Sequence, residues 1–200
     1  MMDGAVIKRI YPAPEVSRRE ILRYMGCRGS DEEFDALIDE GLALSLDKAR
    51  YEVCFARFPV TVKDGEVDLG FARVDSRDLA KNLDGCHGAV VFAATVGLEF
   101  DRLIAKFGRT SPSLALCIQA IGAERIEGLC NVFCDELADT VAREGKKLRP
   151  RFSAGYGDLP LDLQRDIFRV LSCQSKIGLT LNDALLMSPS KSVTAIVGIK

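Results

Sequence analysis

A long amphipathic helix is the feature that most constrains the fold of this chain. Between Leu114 and about Arg143, residues of an apolar stripe recur at steps of three or four, which places them on one face of an α-helix. Glu136 lies three residues beyond Phe133, the last residue of this stripe, so we expect its carboxylate to point toward the packed side. A helix of about 30 residues is about 45 Å long and needs an extended apolar surface to lie against. The stripe comprises Ile118, Gly122, Ile126, Leu129 and Phe133.

Several predicted strands can supply that surface. Gly88 to Val96 is an apolar run typical of a buried central strand. A strand is also predicted from Tyr51 to Val62, with a turn at Asp64-Gly65 into residues 66–72. The segment from Ser192 to Ile199 is predicted to close the chain as a further strand.

Shorter helices are predicted from their N-terminal caps. Capping boxes, in which a serine precedes a glutamate by three residues, occur at residues 17–20 and 30–33. Asp75 or Ser76 is expected to cap another helix, and residues 99–107 form a fourth. Asp158 is expected to cap a helix that carries Leu163 and Ile167. Together these elements predict one α+β domain over residues 1–200, with several helices and a twisted antiparallel or mixed sheet.

The composition excludes some classes of partner. A formal net charge of -2 and a pI near 5.6 argue against binding to nucleic acids or to an anionic membrane surface. The sequence has no apolar run of about 18 residues, and its first residues do not resemble a signal peptide. A cytoplasmic protein is therefore expected.

The cysteines and the single histidine indicate no metal centre. Seven cysteines lie scattered in hydrophobic segments, where we expect small buried side chains rather than disulfides. Cys130 and Cys134 would share a helical face, but position 137 is leucine, so a third thiol is missing. His87 is expected to be a turn residue on the surface. We predict neither a metal site nor catalytic residues, and the pattern leaves open whether the chain is an enzyme.

A glycine-containing loop is the strongest candidate for ligand binding. Residues 151–160 combine an arginine, two glycines, a tyrosine and a proline directly before a helix. Glycines allow close approach of the backbone to a ligand, and the Arg151 guanidinium suits a carboxylate. The same residues would also suit an ordinary turn that enters a helix, and residues 146–147 upstream suit a solvated helix end. The local pattern alone does not name a ligand.

Four segments in the second half of the chain share a recognisable order: Arg151-x-Ser153-x-Gly155-Tyr156-Gly157-Asp158-x-Pro160, Ile167-Phe168, residues 177–182, and Pro189-Ser190-Lys191-Ser192-Val193-Thr194-Ala195-Ile196. Together they resemble one family, the reactivation (S-adenosylmethionine-binding) domain of cobalamin-dependent methionine synthase. The resemblance extends over about residues 114–198, within the motif-bearing portion 111–200. Residues 1–110 are similar to the small free-standing bacterial members through residues 24–29 and 92–97.

This resemblance implies a repair function. In that family, cob(II)alamin formed by accidental oxidation is restored with one electron from a flavodoxin or ferredoxin-like donor and a methyl group from S-adenosylmethionine. The domain positions S-adenosylmethionine over the cobalamin that the partner protein carries. Because cob(I)alamin is a strong nucleophile, positioning suffices and no protein acid or base is implied.

The resemblance also implies a set of cofactor-binding residues. Arg151 matches the arginine that pairs with the methionyl carboxylate, and Tyr156 matches a tyrosine near the docked corrin. The backbone of Ser153, Ala154 and Gly155 would face the cofactor. Glu136 lies roughly where the family has a helix glutamate close to the cofactor, and an anion there suits the sulfonium or the amino group.

Two departures from the family keep alternative functions open. The family pattern Leu-Thr-Glu-Ser is replaced by residues 181–184, Leu-Asn-Asp-Ala, and an aromatic pair near the adenine is replaced by Val197-Gly198. The sequence predicts a module that reactivates a separate methionine synthase. The alternatives are a non-enzymatic adaptor that docks on a corrinoid protein, and an activator of another corrinoid methyltransferase.

Overall fold

The longest element among the described residues is the helix that the sequence predicts over residues 114–143. The computed structural model describes residues 4–27 and 32–200. The strands are β1 (Ile7–Tyr11), β2 (Tyr51–Pro59), β3 (Thr61–Lys63), β4 (Glu66–Asp68), β5 (Arg73–Asp75), β6 (Gly88–Thr95), β7 (Thr180–Leu181), β8 (Met187–Ser188) and β9 (Ser192–Ile199). The helices are α1 (Arg18–Tyr24), α2 (Glu32–Ser45), α3 (Arg77–Asn82), α4 (Glu99–Phe107), α5 (Pro112–Ala142), α6 (Leu163–Leu171) and α7 (Cys173–Ile177).

The main sheet is antiparallel throughout, with the order β1-β2-β6-β9. Every residue of β6 is buried, as the apolar run at Gly88–Val96 predicts for a central strand. The register places Phe92 of β6 between Phe55 of β2 and Ala195 of β9. The prediction of an α+β domain with an antiparallel or mixed sheet is confirmed, and the sheet is antiparallel.

Helix α5 covers one face of this sheet. Its stripe is buried, and the Phe133 ring packs against those of Phe55 and Phe92 with centroid distances of 5.0 and 4.8 Å. Helices α1, α2 and α4 pack against α5. Pro112 stands in the first turn, where its missing N–H costs nothing. The helix predicted over residues 114–143 is therefore confirmed.

Helices α6 and α7 pack on the opposite face, so the sheet lies between two helical layers. Ile167 and Leu171 of α6 are fully buried there, beside Cys54, Val91 and Ile196 of the sheet. Of the cysteines, five are buried and two are half-buried, as expected for packing residues. None of the described helices is long and apolar enough to cross a membrane.

The turn at Asp64-Gly65 forms the predicted hairpin between β3 and β4. Both residues have positive φ, 53° and 90°, as a two-residue type I′ turn requires. The strand expected over residues 66–72 instead ends at Asp68, and β5 pairs with β4 after a turn at Gly70. Strand β1, the small β7–β8 pair and helix α7 went unpredicted because each is short or, for β1, interrupted by Lys8 and Arg9.

The caps are confirmed wherever the described residues include them, except at residue 158. The hydroxyl of Ser17 accepts a hydrogen bond from the Glu20 amide at 3.4 Å, and the hydroxyl of Ser76 accepts one from the Leu79 amide at 3.1 Å. The box at residues 30–33 lies partly outside the described residues, as do positions 28 and 29 of the 24–29 motif. His87 is exposed in a bend before β6, as expected.

Candidate ligand-binding cleft

The segment that follows α5 runs back along the outer edge of β9. The amides of Lys147, Arg149 and Phe152 donate to the carbonyls of Lys200, Gly198 and Ile196 at 2.7, 2.9 and 2.9 Å. The acceptors are alternate residues of β9 and, directly after it, Lys200, as expected when one side of a strand faces one neighbour. The segment therefore acts as an irregular fifth strand as far as Phe152.

A cleft opens where this pairing stops. Beyond Phe152 the chain leaves β9, and a cavity of about 370 Å³ remains beside the uncovered edge. The alternation along β9 turns the backbone N–H and C=O of Thr194 toward this gap. The cavity is lined by Glu127 of α5, Arg151–Ala154 and Tyr156 of the loop, Gln164 of α6, Met187 of β8, and Ser192–Ala195 of β9.

The cleft brings together most of the residues that the sequence proposed. Arg151, Ser153, Ala154 and Tyr156 all line it, whereas Gly155 and Glu136 are not among its lining residues. Residues 192–195 belong to a segment that carried the family resemblance. Three further lining residues, Glu127, Gln164 and Met187, were missed because no local motif marks them.

Arg151 is held by polar side chains of α5. Its Nη2 donates to Oε2 of Glu127 at 3.1 Å and to Oδ1 of Asn131 at 3.0 Å. The arginine side chain is 27% exposed and that of Glu127 is 42% exposed, so the ion pair stands at the cleft wall in reach of solvent. Glu127 and Asn131 are four residues apart and so share one face of the helix.

Glu136 does not line the cleft and instead binds side chains of strand β1. Its Oε2 accepts hydrogen bonds from Nη1 of Arg9 and from the hydroxyl of Tyr11, both at 2.9 Å. The side chain is 48% exposed and lies over edge strand β1, at the margin of the packed face. Glu127, nine residues earlier on α5, is the helix glutamate beside Arg151.

Chain geometry explains why Arg151 meets Glu127. Glu127 lies fifteen residues before the end of α5, which corresponds to about 22 Å along the helix axis. The eight residues that lead back to Arg151 can span about 26 Å when extended. An extended return along β9 therefore passes the position of Glu136 and brings the guanidinium to the middle of the helix.

The glycine loop is shaped by its two glycines. Both have positive φ, 87° at Gly155 and 54° at Gly157. The Gly155 amide donates to the Leu159 carbonyl at 3.0 Å and the Tyr156 amide to the Ser153 carbonyl at 3.1 Å, which closes the turn. Tyr156 is thereby presented at the loop tip with 71% of its surface exposed, while Ala154 is buried.

The sequence predicted that Asp158 caps the helix that follows the loop, and this prediction is wrong. Its carboxylate accepts hydrogen bonds from the Ser76 hydroxyl and from the amides of Arg77 and Asp78, at 2.8 and 3.2 Å for the amides. It therefore binds the first turn of α3, and α6 begins at Leu163 without a side-chain cap. The Ser76 hydroxyl and these two amides hold the pKa of Asp158 below its ordinary value.

Val197 and Gly198 lie away from the cleft. Val197 is 1% exposed and packs in the core on the α5 side of the sheet. A Cβ atom at Gly198 would lie 2.7 Å from a methyl group of Leu83 and 2.8 Å from the sulfur of Cys86. An aromatic side chain at either position would face the packed core of this chain. The replacement of the family's aromatic pair by Val197-Gly198 therefore leaves the lining of the cleft unchanged.

Cys130 and Cys134 lie on α5 near Arg151, as packing residues. Burial raises the pKa of Cys130 to about 12 and that of Cys134 to about 11, against the lowering effect of the Arg151 charge. Both thiols therefore stay protonated at neutral pH. No group of three or more potential metal ligands occurs among the described residues.

Comparison with known proteins finds a match to the fold of this chain but none to its sequence. No protein-family model matches the chain, and no curated protein sequence matches it. Among solved structures, the crystal structure of the MetH reactivation domain bound to AdoHcy matches with a TM-score of 0.71. The match covers 97% of this chain and 78% of that chain, at 15% sequence identity. The chain therefore shares the fold of that reactivation domain.

Proposed function

We propose that this chain binds S-adenosylmethionine in the cleft and serves as a reactivation module. It would support the reductive methylation of cob(II)alamin on a separate cobalamin-dependent methionine synthase. The observation that carries the proposal is the position of the Arg151–Tyr156 loop, which lines a cleft on the fold shared with a reactivation domain that binds AdoHcy. A flavodoxin or ferredoxin-like protein would supply the electron.

The charges of the cleft fit the amino acid end of this cofactor. An α-amino acid carries one carboxylate and one ammonium group, and the cleft presents one cation and one anion side by side, Arg151 and Glu127. A guanidinium binds a carboxylate with two parallel hydrogen bonds, and a carboxylate accepts from an ammonium group. A volume of about 370 Å³ is within the range of small-molecule sites.

The residues of this chain would act by binding and orienting. S-adenosylmethionine supplies the methyl group when it is bound, and Arg151 and Glu127 fix one end of it. Tyr156 stands exposed at the cleft mouth, and Leu161 beside Gly155 is also exposed. This apolar rim is where we expect the corrinoid partner to approach, because a methyl transfer requires the two reactants to meet there.

One observation favours the adaptor as a second candidate. The Arg151 guanidinium already has two partners on α5, Glu127 and Asn131, so it is satisfied without a ligand. An adaptor would keep the fold and the exposed rim and would bind a corrinoid protein without S-adenosylmethionine. The two candidates therefore differ in cofactor binding.

Calorimetric titration with S-adenosylmethionine tests the proposal. We expect saturable binding by the wild type, and Arg151→Ala should weaken it by about 1.5–3 kcal/mol, the value of a hydrogen bond to a charged group. Arg169→Ala is the matched control, because Arg169 is an exposed arginine on α6 paired with Asp166. No saturable binding at millimolar cofactor would overturn the proposal and leave the adaptor.

The same titration decides between the two helix glutamates. Glu127→Gln should weaken binding, since it removes the anion beside Arg151. Glu136→Gln should leave affinity unchanged, since that carboxylate is engaged by Arg9 and Tyr11. The reverse order of effects would contradict the assignment of Glu127.

A further inference from the structure

A buried amide in the cleft wall has an unused acceptor. Gln164 is 6% exposed, lies on α6 and lines the cleft. Its Oε1 is buried and makes no hydrogen bond with the protein. A buried acceptor without a partner costs about 1–3 kcal/mol, so such groups are rare unless something else satisfies them.

Gln164 lies at the other end of the cleft from the charged pair Arg151 and Glu127. Arg151 is held by α5, which covers one face of the sheet, whereas α6 packs on the other face. Thr194, which is 2% exposed, also lines the cleft, and the pairing of β9 turns its backbone toward the gap. The cleft thus has a charged end at α5 and an uncharged, hydrogen-bonding end at α6.

We propose that Gln164 is a ligand-binding residue that accepts a hydrogen bond from a hydroxyl or amino group of the nucleoside part of the ligand. This inference rests on the proposed function, because that function supplies a ligand with a zwitterionic end and a nucleoside end. Arg151 and Glu127 would bind the amino acid, and Gln164 would fix the nucleoside at the opposite end of the cleft.

Replacement of Gln164 by methionine tests the proposal. Methionine has nearly the same shape and helix propensity but no amide. Because the native acceptor has no protein partner, Gln164→Met should leave the free energy of unfolding unchanged or raise it. If Gln164 had a structural role instead, the same substitution would destabilise the protein.

The binding readout uses two probes, AdoHcy and 5′-methylthioadenosine, which has the nucleoside and thioether but no amino acid group. We expect Gln164→Met to weaken both about 5- to 10-fold, the value of one neutral hydrogen bond. Arg151→Ala should weaken only AdoHcy. Gln174→Met is the matched control on exposed α7 surface and should change neither affinity.

Three outcomes are decisive. Parallel losses for both probes with unchanged stability support the proposal. Wild-type binding of AdoHcy that Gln164→Met leaves intact overturns the role of Gln164 and leaves the proposed function standing. Failure of the wild type to bind AdoHcy at all overturns both.

Discussion

Gly157 lies where the glycine loop approaches Asp78 of helix α3. With φ at 54°, a Cβ atom at this residue would lie 2.2 Å from Oδ2 of Asp78, which accepts a hydrogen bond from the Asp158 amide. An alanine here would be strained in the left-handed conformation, which lowers the free energy of unfolding, and its Cβ atom would also displace the Asp78 carboxylate. The glycine is therefore needed for both conformation and space.

Gly157→Ala should consequently destabilise the protein more than Gly178→Ala. Gly178 also has positive φ, 67°, but nothing lies within 4 Å of its Cβ position, so it reports the conformational cost alone. We expect about 1 kcal/mol for Gly178→Ala and about 2–3 kcal/mol for Gly157→Ala. Urea denaturation measures both, and equal losses would show that contact with Asp78 is unimportant.

Residue identities in the loop could be predicted from the sequence, but their partners could not. Arg151 and Tyr156 were found because a cation and an aromatic stand beside glycines. Glu127 and Gln164 were missed because they are ordinary helix residues. Their role depends on which turn of each helix lies beside the segment that follows α5. The spacing of apolar residues predicts which face of a helix is buried, but it does not predict which turn along the helix contacts the loop.

At the scale of elements, Asp158 joins the glycine loop to α3. The hydroxyl of Ser76 and two amides of the helix stabilise the ionised carboxylate and lower its pKa. A depressed carboxyl pKa contributes stability that is present above the unfolded-state pKa, about 3.9, and is lost as the pH falls through the folded-state value. The loop attachment should therefore persist at neutral pH and weaken in acid.

The comparison of Asp158→Asn with the wild type checks this pH dependence. The variant should be less stable by a constant amount from about pH 5 to pH 7, and the difference should shrink below about pH 4 as the wild-type carboxylate protonates. Denaturation midpoints across this range measure it, with Asp183→Asn at an exposed position as the control. A difference that grows in acid would contradict the assigned contacts.

Elements with strong local signals were predicted closely, and those defined by tertiary contact were not. Helix α4 and strand β9 have the predicted limits, since periodicity and turn residues mark both ends. The amphipathic stripe gave α5 to within two residues. The capping role of Asp158 was misassigned because the helix it caps is distant in sequence, about 80 residues upstream.

At the scale of the whole molecule, the fold places the cleft at an uncovered edge of the sheet, between its two helical layers. The layer with α5 contributes charge and the layer with α6 contributes the amide of Gln164. The loop between them exposes Tyr156 toward solvent. This arrangement would leave the bound cofactor accessible to a large partner, as the proposed function requires.

The measurement that tests the central claim most directly is a reactivation assay. A methionine synthase that lacks its own reactivation module is prepared in the cob(II)alamin state and supplied with S-adenosylmethionine and reduced flavodoxin. Addition of the wild-type chain should restore the absorbance of methylcobalamin and the turnover of the synthase, and Arg151→Ala should restore little. If the wild type binds S-adenosylmethionine and still leaves the cobalamin in the cob(II) state, the reactivation function is contradicted.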